Sequence, residues 1–199
     1  MTDGRSLALF DFDGTLTTKD TMLAYLVHAR GWLGVLPGVL LASPWVVGHL
    51  LALVPNDVAK VRLLTAVIGG RSRSELEASA RTFADRVEGW LRPGALERVR
   101  WHVEQGHDVL LVSASLDLWV GPWAERHGLR LLSSRARWDG DTFTGQLLGE
   151  NCHGPEKVRR VREVVDPEGY ARRYGYGDSS GDAEMLALCD EIAFRPFRS

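Results

Sequence analysis

The stretch Ala8–Thr21, ALFDFDGTLTTKDT, decides how the rest of the chain is read. An apolar run from Leu7 to Phe10 ends at Asp11, Asp13 follows, and Gly14-Thr15 closes the segment. A short apolar run bounded by a turn signal reads as a strand buried on both faces. Two carboxylates at the end of such a strand need an explanation, because charges taken from water need partners. Alternate residues of a strand share a face, so Asp11 and Asp13 project the same way if the extended path persists.

Working outward, three more runs have the same character. Val109 to Val112 ends at Ser113, "RRYGYGDSS" ends at Asp178, and "EIAFRP" lies near the C-terminus. Helical patterns fall between them: "PGALERVRWHVEQG", "LDLWVGPWAERHG", "PEKVRRVREVV" and "DAEMLALCD". Strands alternating with helices predict an α/β fold, a doubly wound parallel sheet. Asp139-Gly140, between two alternating stretches, predicts a β-hairpin.

The carboxyl ends of parallel strands form the crevice in which open α/β sheets bind ligands. Here those ends bring Asp11, Asp13, Ser113, Asp178 and Asp182 together, with Lys157 at a helix start. So many carboxylates call for a cation, and Mg²⁺ suits an all-oxygen set completed by substrate phosphate. Ser113 and Lys157 then remain as donors for an anion. Phosphoryl transfer demands mainly positioning and charge stabilisation, and a carboxylate nucleophile splits it into two easier steps.

"DFDGTLT", "LLVSAS", "GPEKV" and "GDSSGD", in that order, resemble the four signature motifs of the haloacid dehalogenase superfamily of phosphatases. The resemblance spans Asp11 to Asp182 and implies a Rossmann-like core. It implies Asp11 as nucleophile and Asp13 as acid/base. It places Mg²⁺ on Asp11, Asp178 and the main-chain carbonyl of Asp13, and the phosphoryl group on Ser113 and Lys157. Asp182, Gly14, Thr15 and Ala114 would support them. An insertion after the first motif is similar to the helical cap of the phosphoserine phosphatase-like subfamily (IB). In place of that subfamily's substrate-reading glutamate stands Asp20, the cap's candidate for substrate selection. "TLTTKD", "HGPEKV" and "GYGDSSGD" look closer to phosphatidylglycerophosphatase C and related hydrolases.

The expected division is a core of residues 1–16 and 93–199 and a cap of residues 17–92, hinged near Thr17 and Leu91. No convincing strand falls inside the insertion. "RSELEASARTFADRVEGWL" is an amphipathic helix with an acidic first turn. Gly31 to Asn56 runs for 26 residues without Asp, Glu, Lys or Arg. It is long enough to span a bilayer. Pro37 and Pro44 interrupt it, however, and motifs on both sides must share one site. A packed cap core, a homodimer interface and shallow contact with a membrane surface remain open for residues 31–56.

Composition sets the outer bounds. The chain has 199 residues, suiting one substantial domain, and its net charge of −2 offers no basic field for nucleic acid. Cys152 and Cys189 read as free thiols of a reducing compartment, and Cys152-His153 lacks the second half of a zinc site. Without a secretory signal at the start, the expected place is the cytoplasm, peripheral at the inner face of the membrane if residues 31–56 meet lipid. The six histidines read as structural or surface groups, Ser115 as a cap or backbone contact, and Ser113 and Asp182 also suit helix caps. A phosphotransferase shares the same first step. A phospho-accepting receiver domain lacks the insertion and the second aspartate, and a degenerate interaction module would lack part of the motif set.

Overall fold

The computed structural model describes residues 4–198. The order of elements is β1 (Ser6–Phe10), α1 (Thr21–Leu50), α2 (Asn56–Ile68), α3 (Arg73–Glu88), α4 (Ala95–Glu104), β2 (Asp108–Leu116), α5 (Asp117–Arg126) and β3 (Arg130–Ser134), then β4 (Ala136–Asp139), β5 (Thr142–Leu147), α6 (Pro155–Val164), β6 (Arg172–Gly177), α7 (Ala183–Leu186) and β7 (Glu191–Phe194). The fold is α/β, as the alternation predicts. Five strands form a parallel sheet in the order β3-β2-β1-β6-β7, so β1 lies at the centre and the chain winds to both sides of it.

The apolar run of β1 is explained by burial on both faces. Leu7 and Leu9 join Leu110, Val112, Val161 and Met185 on the α6–α7 side. Ala8 and Phe10 join Leu111, Val99 and Trp119 on the other side. Register puts Phe10 beside Leu111 and Tyr176, so the carboxyl halves of β1, β2 and β6 reach one level, with β2 running on to Leu116. Their last residues are the ones that carry the motifs.

Helices α1 to α3 lie between β1 and α4 in the chain and add no strand to the sheet. The two ends of this segment are tied to each other. Thr18 N donates to Trp90 O at 2.8 Å, Arg92 N donates to Leu16 O at 2.8 Å, and Thr17 pairs with Leu91 as an isolated bridge. The segment therefore rises from a two-strand stem.

Two expectations are corrected here. Pro37 and Pro44 do not break the apolar stretch, because helix continues through both. The break falls at Gly31, whose φ of 67° and ψ of 164° lie in a region favouring glycine. Residues 21–30 pack toward α3 and α5, with Tyr25 stacked 5.0 Å from Trp119. Residues 32–50 lie along α2, where a Cβ on Gly38 would stand 2.6 Å from Val67. The second correction concerns "DAEMLALCD", which is a short 3₁₀ turn followed by the four-residue α7.

The hairpin predicted at Asp139-Gly140 is present as β4–β5. It joins the helical segment. Gly70 N donates to Phe143 O at 2.8 Å, Arg73 N to Asp141 O at 2.7 Å, and Phe143 N to Arg71 O at 2.9 Å. Gly145 lies so close to α2 that a Cβ there would meet Thr65 at 2.4 Å.

Candidate active site

Asp11 follows the last residue of β1 and keeps the ladder, donating its N–H to Tyr176 O at 2.9 Å. Its side chain falls on the α6 side, where Lys157 occupies the first turn of that helix. Lys157 Nζ donates to Asp11 Oδ1 at 2.7 Å, to Asp182 Oδ1 at 2.6 Å and to Val112 O at 2.9 Å. All three ammonium protons are thereby engaged in a buried position, which is what a buried lysine needs. Asp11 Oδ2 has no protein partner among the described residues, and Asp11 borders a cavity of about 410 Å³.

Asp182 is buried and uses both of its carboxylate oxygens. Its Oδ2 accepts from Asp178 N at 3.1 Å, Ser179 N at 3.0 Å and Ser179 Oγ at 2.9 Å, while Oδ1 holds Lys157. Its carboxylate closes a capping box with Ser179 and does not cap α7 through its side chain.

Asp13 is held differently. The chain turns after Asp11, with Leu16 N and Thr17 N both donating to Phe12 O, and carries Asp13 toward α1 and β2. Asp13 Oδ1 accepts from Thr21 N at 2.7 Å and Oδ2 from Ser115 Oγ at 2.6 Å. Ser115 gives its one proton to Asp13, so Thr21 must be the donor in the 3.2 Å contact between the two hydroxyls. Trp119 Nε1 donates to Thr21 Oγ1 at 3.1 Å and completes the chain. Ser115 is thus corrected from a cap or backbone contact to a group touching Asp13.

Asp178 stands opposite Gly14. At Gly14, φ is 80° and a Cβ would come 2.5 Å from Asp178 Oδ2, so glycine is required there both by conformation and by space. Asp178 Oδ2 accepts from Arg198 Nη2 at 2.6 Å, and Arg92 Nε donates to the neighbouring Gly14 O at 2.9 Å. Oxygens of Asp11, Asp178 and Asp182 lie within 4.8 Å of one another. Asp182 has spent both of its oxygens, which leaves Asp11 Oδ2, Asp178 Oδ1 and the Asp13 carbonyl free of protein donors among the described residues. The cavity wall carries five carboxylates, Asp11, Asp13, Asp20, Asp178 and Asp182, against the ammonium groups of Lys60 and Lys157. This surplus of hard anionic oxygens fits a divalent cation.

The resemblance found in the motifs extends to whole proteins. Residues 8–187 match the family described as haloacid dehalogenase-like hydrolase. The chain belongs to this family. It is 38% identical over 197 residues to Protein CicA of Caulobacter vibrioides, covering 96% of this chain and 86% of that one. It is 35% identical over 138 residues to phosphoserine phosphatase SerB1 of Mycobacterium tuberculosis, covering 67% of this chain and 45% of that one. A protein of unknown function from Bordetella pertussis Tohama I has the same fold at a TM-score of 0.82 and 24% identity, with 94% and 88% of the two chains covered. A phospho-aspartyl intermediate analogue of phosphoserine phosphatase aligns at a TM-score of 0.67 and 19% identity, with 96% and 86% covered. The chain is accordingly a phosphatase of the haloacid dehalogenase-like family.

The rest of this hydrolase's cavity departs from the motif residues. Asp20 lies on the wall, exposed, and caps α1 by accepting from Met22 N at 2.8 Å. Ser113 is fully buried behind Ala114 and Ser115 and is absent from the cavity wall; its Oγ accepts from Ser115 N at 3.0 Å. Thr15 is buried with its hydroxyl unpartnered. The α1–α2 side contributes Val46, His49, Asn56, Leu63 and Lys60, and His153 enters from the loop before α6. Two of the six histidines expected to be structural or surface groups therefore face the cavity. Lys60 is the largest omission: the only charged residue among the buried positions of α2, it donates to Ala114 O and to Asn151 Oδ1, the latter at 2.9 Å.

Burial dominates the electrostatics. It pushes Asp11 up to about 7, against the pull of Lys157. It pushes Asp13 up to about 6, helped by the negative charge of Asp20 and opposed by the Ser115 and Thr21 hydrogen bonds. Burial would also raise Asp182, but Lys157 and the Ser179 donors more than offset it and hold this carboxyl below its ordinary value. Burial alone would depress Lys157, yet the facing Asp11 and Asp182 charges keep it above the usual lysine range. Lys60, facing no carboxylate at contact distance, is pushed down to about 8.

Proposed function

We propose that this chain hydrolyses phosphate monoesters in two steps with Mg²⁺ bound, and that Asp11 carries the phosphoryl group between them. The observation that carries this reading is the pair of separately built carboxylates on one wall: Asp11, with one oxygen on Lys157 and one free, and Asp13, held by neutral donors. Asp11 Oδ2 attacks phosphorus, the bond from phosphorus to the leaving oxygen breaks, and Asp13 delivers a proton to that oxygen. Asp13 then takes a proton from water as the water attacks the aspartyl-phosphate, releasing phosphate and restoring Asp11. Lys157 would hold a phosphoryl oxygen by giving up one of its three present acceptors, and Ser113, off the cavity wall, would have to turn its unspent proton toward the group. Asp11, Asp178 and the Asp13 carbonyl would hold the metal, whose charge would balance the phosphoryl oxygens.

In this reading the stem at Thr17 and Leu91 is the hinge of a cap formed by α1–α3, and its closing excludes water and selects substrate. We place the chain in the phosphoserine phosphatase-like subfamily, on the side of phosphatidylglycerophosphatase C. Support for a lipid phosphate comes from the second half of α1. Its inner side lines the cavity through Val46 and His49, while Trp32 is 70%, Leu33 89% and Leu50 78% exposed on its outer side. Exposed apolar faces of this extent mark partners. A cytoplasmic enzyme lying against the inner membrane face would use this surface for lipid; a homodimer would use it for a second copy.

The test is phosphate release from soluble and lipid monoesters, with and without Mg²⁺, together with acid quenching and borohydride trapping of the acyl phosphate. Asp11 labelled during turnover and lost in Asp11→Asn is the expected result. Turnover without any covalent phosphoprotein would overturn the mechanism. Transfer to added alcohols in preference to water would make the enzyme a phosphotransferase. Sedimentation with anionic liposomes and light scattering separate lipid contact from a homodimer, and a preference for phosphoserine would assign a soluble substrate.

A further inference from the structure

Lys60 is a charge where the pattern of α2 calls for an apolar residue. It lies between Ala59 and Leu63 on the buried face, is 7% exposed, and reaches across to two segments far away in sequence. One contact is Ala114 O, at the end of β2; the other is Asn151 Oδ1, in the loop leading to α6 and Lys157. Asn151 Oδ1 is itself held by Ser134 Oγ at 2.8 Å, so this second anchor is fixed from the core side.

The Ala114 carbonyl belongs to the same peptide unit as the Ser115 N–H. That N–H donates to Ser113 Oγ at 3.0 Å, and the Ser115 hydroxyl donates to Asp13 Oδ2 at 2.6 Å. A cation on the carbonyl polarises the peptide and strengthens the N–H as a donor, since bonds in a chain reinforce one another. It also fixes the peptide plane, and with it the direction of the Ser115 side chain. Ser113 Oγ, accepting from Ser115 N, keeps its own proton, for which the described residues offer no acceptor.

We infer that Lys60 is a positioning residue that clamps the Ala114–Ser115 peptide from the helical segment, so that Ser113 and Asp13 are correctly set only when that segment is closed on the sheet. The inference rests on the phosphatase reading for its kinetic consequences, but the clamp itself is a property of the folded chain. Lys60 spends two of its three protons on core acceptors, and its effect on Ser113 and Asp13 runs through the Ala114–Ser115 peptide. Closure and chemistry are thereby coupled by one side chain.

The experiment compares Lys60→Met, which keeps length and removes the donors, with Lys60→Arg, which restores charge and donors. For p-nitrophenyl phosphate and for glycerol phosphate, Lys60→Met should lower kcat about tenfold with KM within about threefold, and Lys60→Arg should recover most of the loss. The amide proton resonance of Ser115 in ¹⁵N-labelled protein should shift upfield in Lys60→Met and return toward wild type in Lys60→Arg. An unmoved Ser115 resonance would overturn the clamp. So would a loss confined to KM for substrates bearing a second negative group, because Lys60 would then be reading substrate. If the wild-type chain turned over no phosphate ester, the phosphatase reading would fail on its own, and the Ser115 resonance would still decide the clamp.

Discussion

Replacing Asp182 by Asn tests the architecture of the site through stability. Asp182 Oδ1 holds the buried Lys157, and Oδ2 collects the N–H groups of Asp178 and Ser179 and the Ser179 hydroxyl. An amide cannot do both. If its NH₂ replaces Oδ1, a donor faces the ammonium; if it replaces Oδ2, three donors lose their acceptor. Breaking a buried ion pair by removing one partner costs about 3–5 kcal/mol. Lys157 keeps Asp11 and Val112 O, so the low end applies, about 3 kcal/mol. In a chain of this size that lowers Tm by about 6–12 °C. Asp178→Asn, at a half-buried residue whose ionic partner Arg198 lies at the surface, should cost less than about 1 kcal/mol. Thermal and urea unfolding followed by circular dichroism compare the two. The folded pKa of Asp182 is depressed, so its contribution is present above the unfolded value of 3.8 and lost as pH falls below it. The gap between wild type and Asp182→Asn should therefore narrow steadily as pH falls below 3.8. A loss below about 1 kcal/mol at pH 7, or a gap that does not narrow in acid, would refute the assignment of Asp182 as the carboxylate that holds Lys157.

Asp11→Asn should reduce turnover by about 10³-fold or more while the circular dichroism spectrum stays that of wild type; residual wild-type kcat in a clean preparation would remove Asp11 as nucleophile. EDTA should silence phosphate release and Mg²⁺ should restore it, as measured by a phosphate assay; full activity in metal-free buffer would contradict the oxygen-only site. His102 is buried, with Nδ1 2.7 Å from His107 Nδ1 and Nε2 2.9 Å from Tyr176 OH, and burial lowers its pKa to about 4. A folded pKa below the unfolded 6.5 means that the unfolded chain takes the proton first, so stability should fall between pH 6.5 and 4. His102→Gln should flatten that fall in urea midpoints, and an unchanged slope would show that another group is responsible.

The strands were legible because burial on both faces leaves an unbroken apolar run, and the site was legible where it sits at the ends of those runs. Asp11, Ser113 and Asp178 all follow from that rule. Lys60 does not, because a lysine in "NDVAKVRLLTAVI" looks like a solvated one. Its burial comes from Ala114 and Asn151, 54 and 91 residues away. Ser115 escapes a sequence reading for a similar reason: its partners, Asp13 and Thr21, arrive only when β1 and the start of α1 turn toward β2. Pro37 and Pro44 misled in the other direction. A proline interrupts a helix by local cost, but here the long contact with α2 carries the helix through both and leaves the bend to Gly31. The hairpin at Asp139-Gly140 was visible from its turn, whereas its attachment to α2 and α3 depended on a surface that only the folded helical segment provides.

The division of labour between Asp11 and Asp13 follows from their surroundings more than from their order in the motif. Burial raises both, to about 7 and about 6, so neither is a simple exposed carboxylate. Asp11 faces a permanently charged lysine, and any cation bound beside Asp178 would add to that field. The lysine is already counted in the Asp11 value of about 7, so the cation is what would bring Asp11 to the ionised form a nucleophile needs. Asp13 faces Ser115 and Thr21, neutral donors that orient it without fixing its charge. A group that must give a proton and then recover one works best with a pKa near the operating pH. The chain meets that need by keeping Lys157 on the α6 side of the sheet, away from Asp13. Moving a permanent positive charge to position 115 would therefore impair Asp13 as an acid even if every contact to Asp11 survived. The loss would be largest for alkyl phosphates, whose leaving oxygen needs the proton, and smallest for p-nitrophenyl phosphate. Equal losses for both in Ser115→Lys would mean that Asp13 does not deliver that proton.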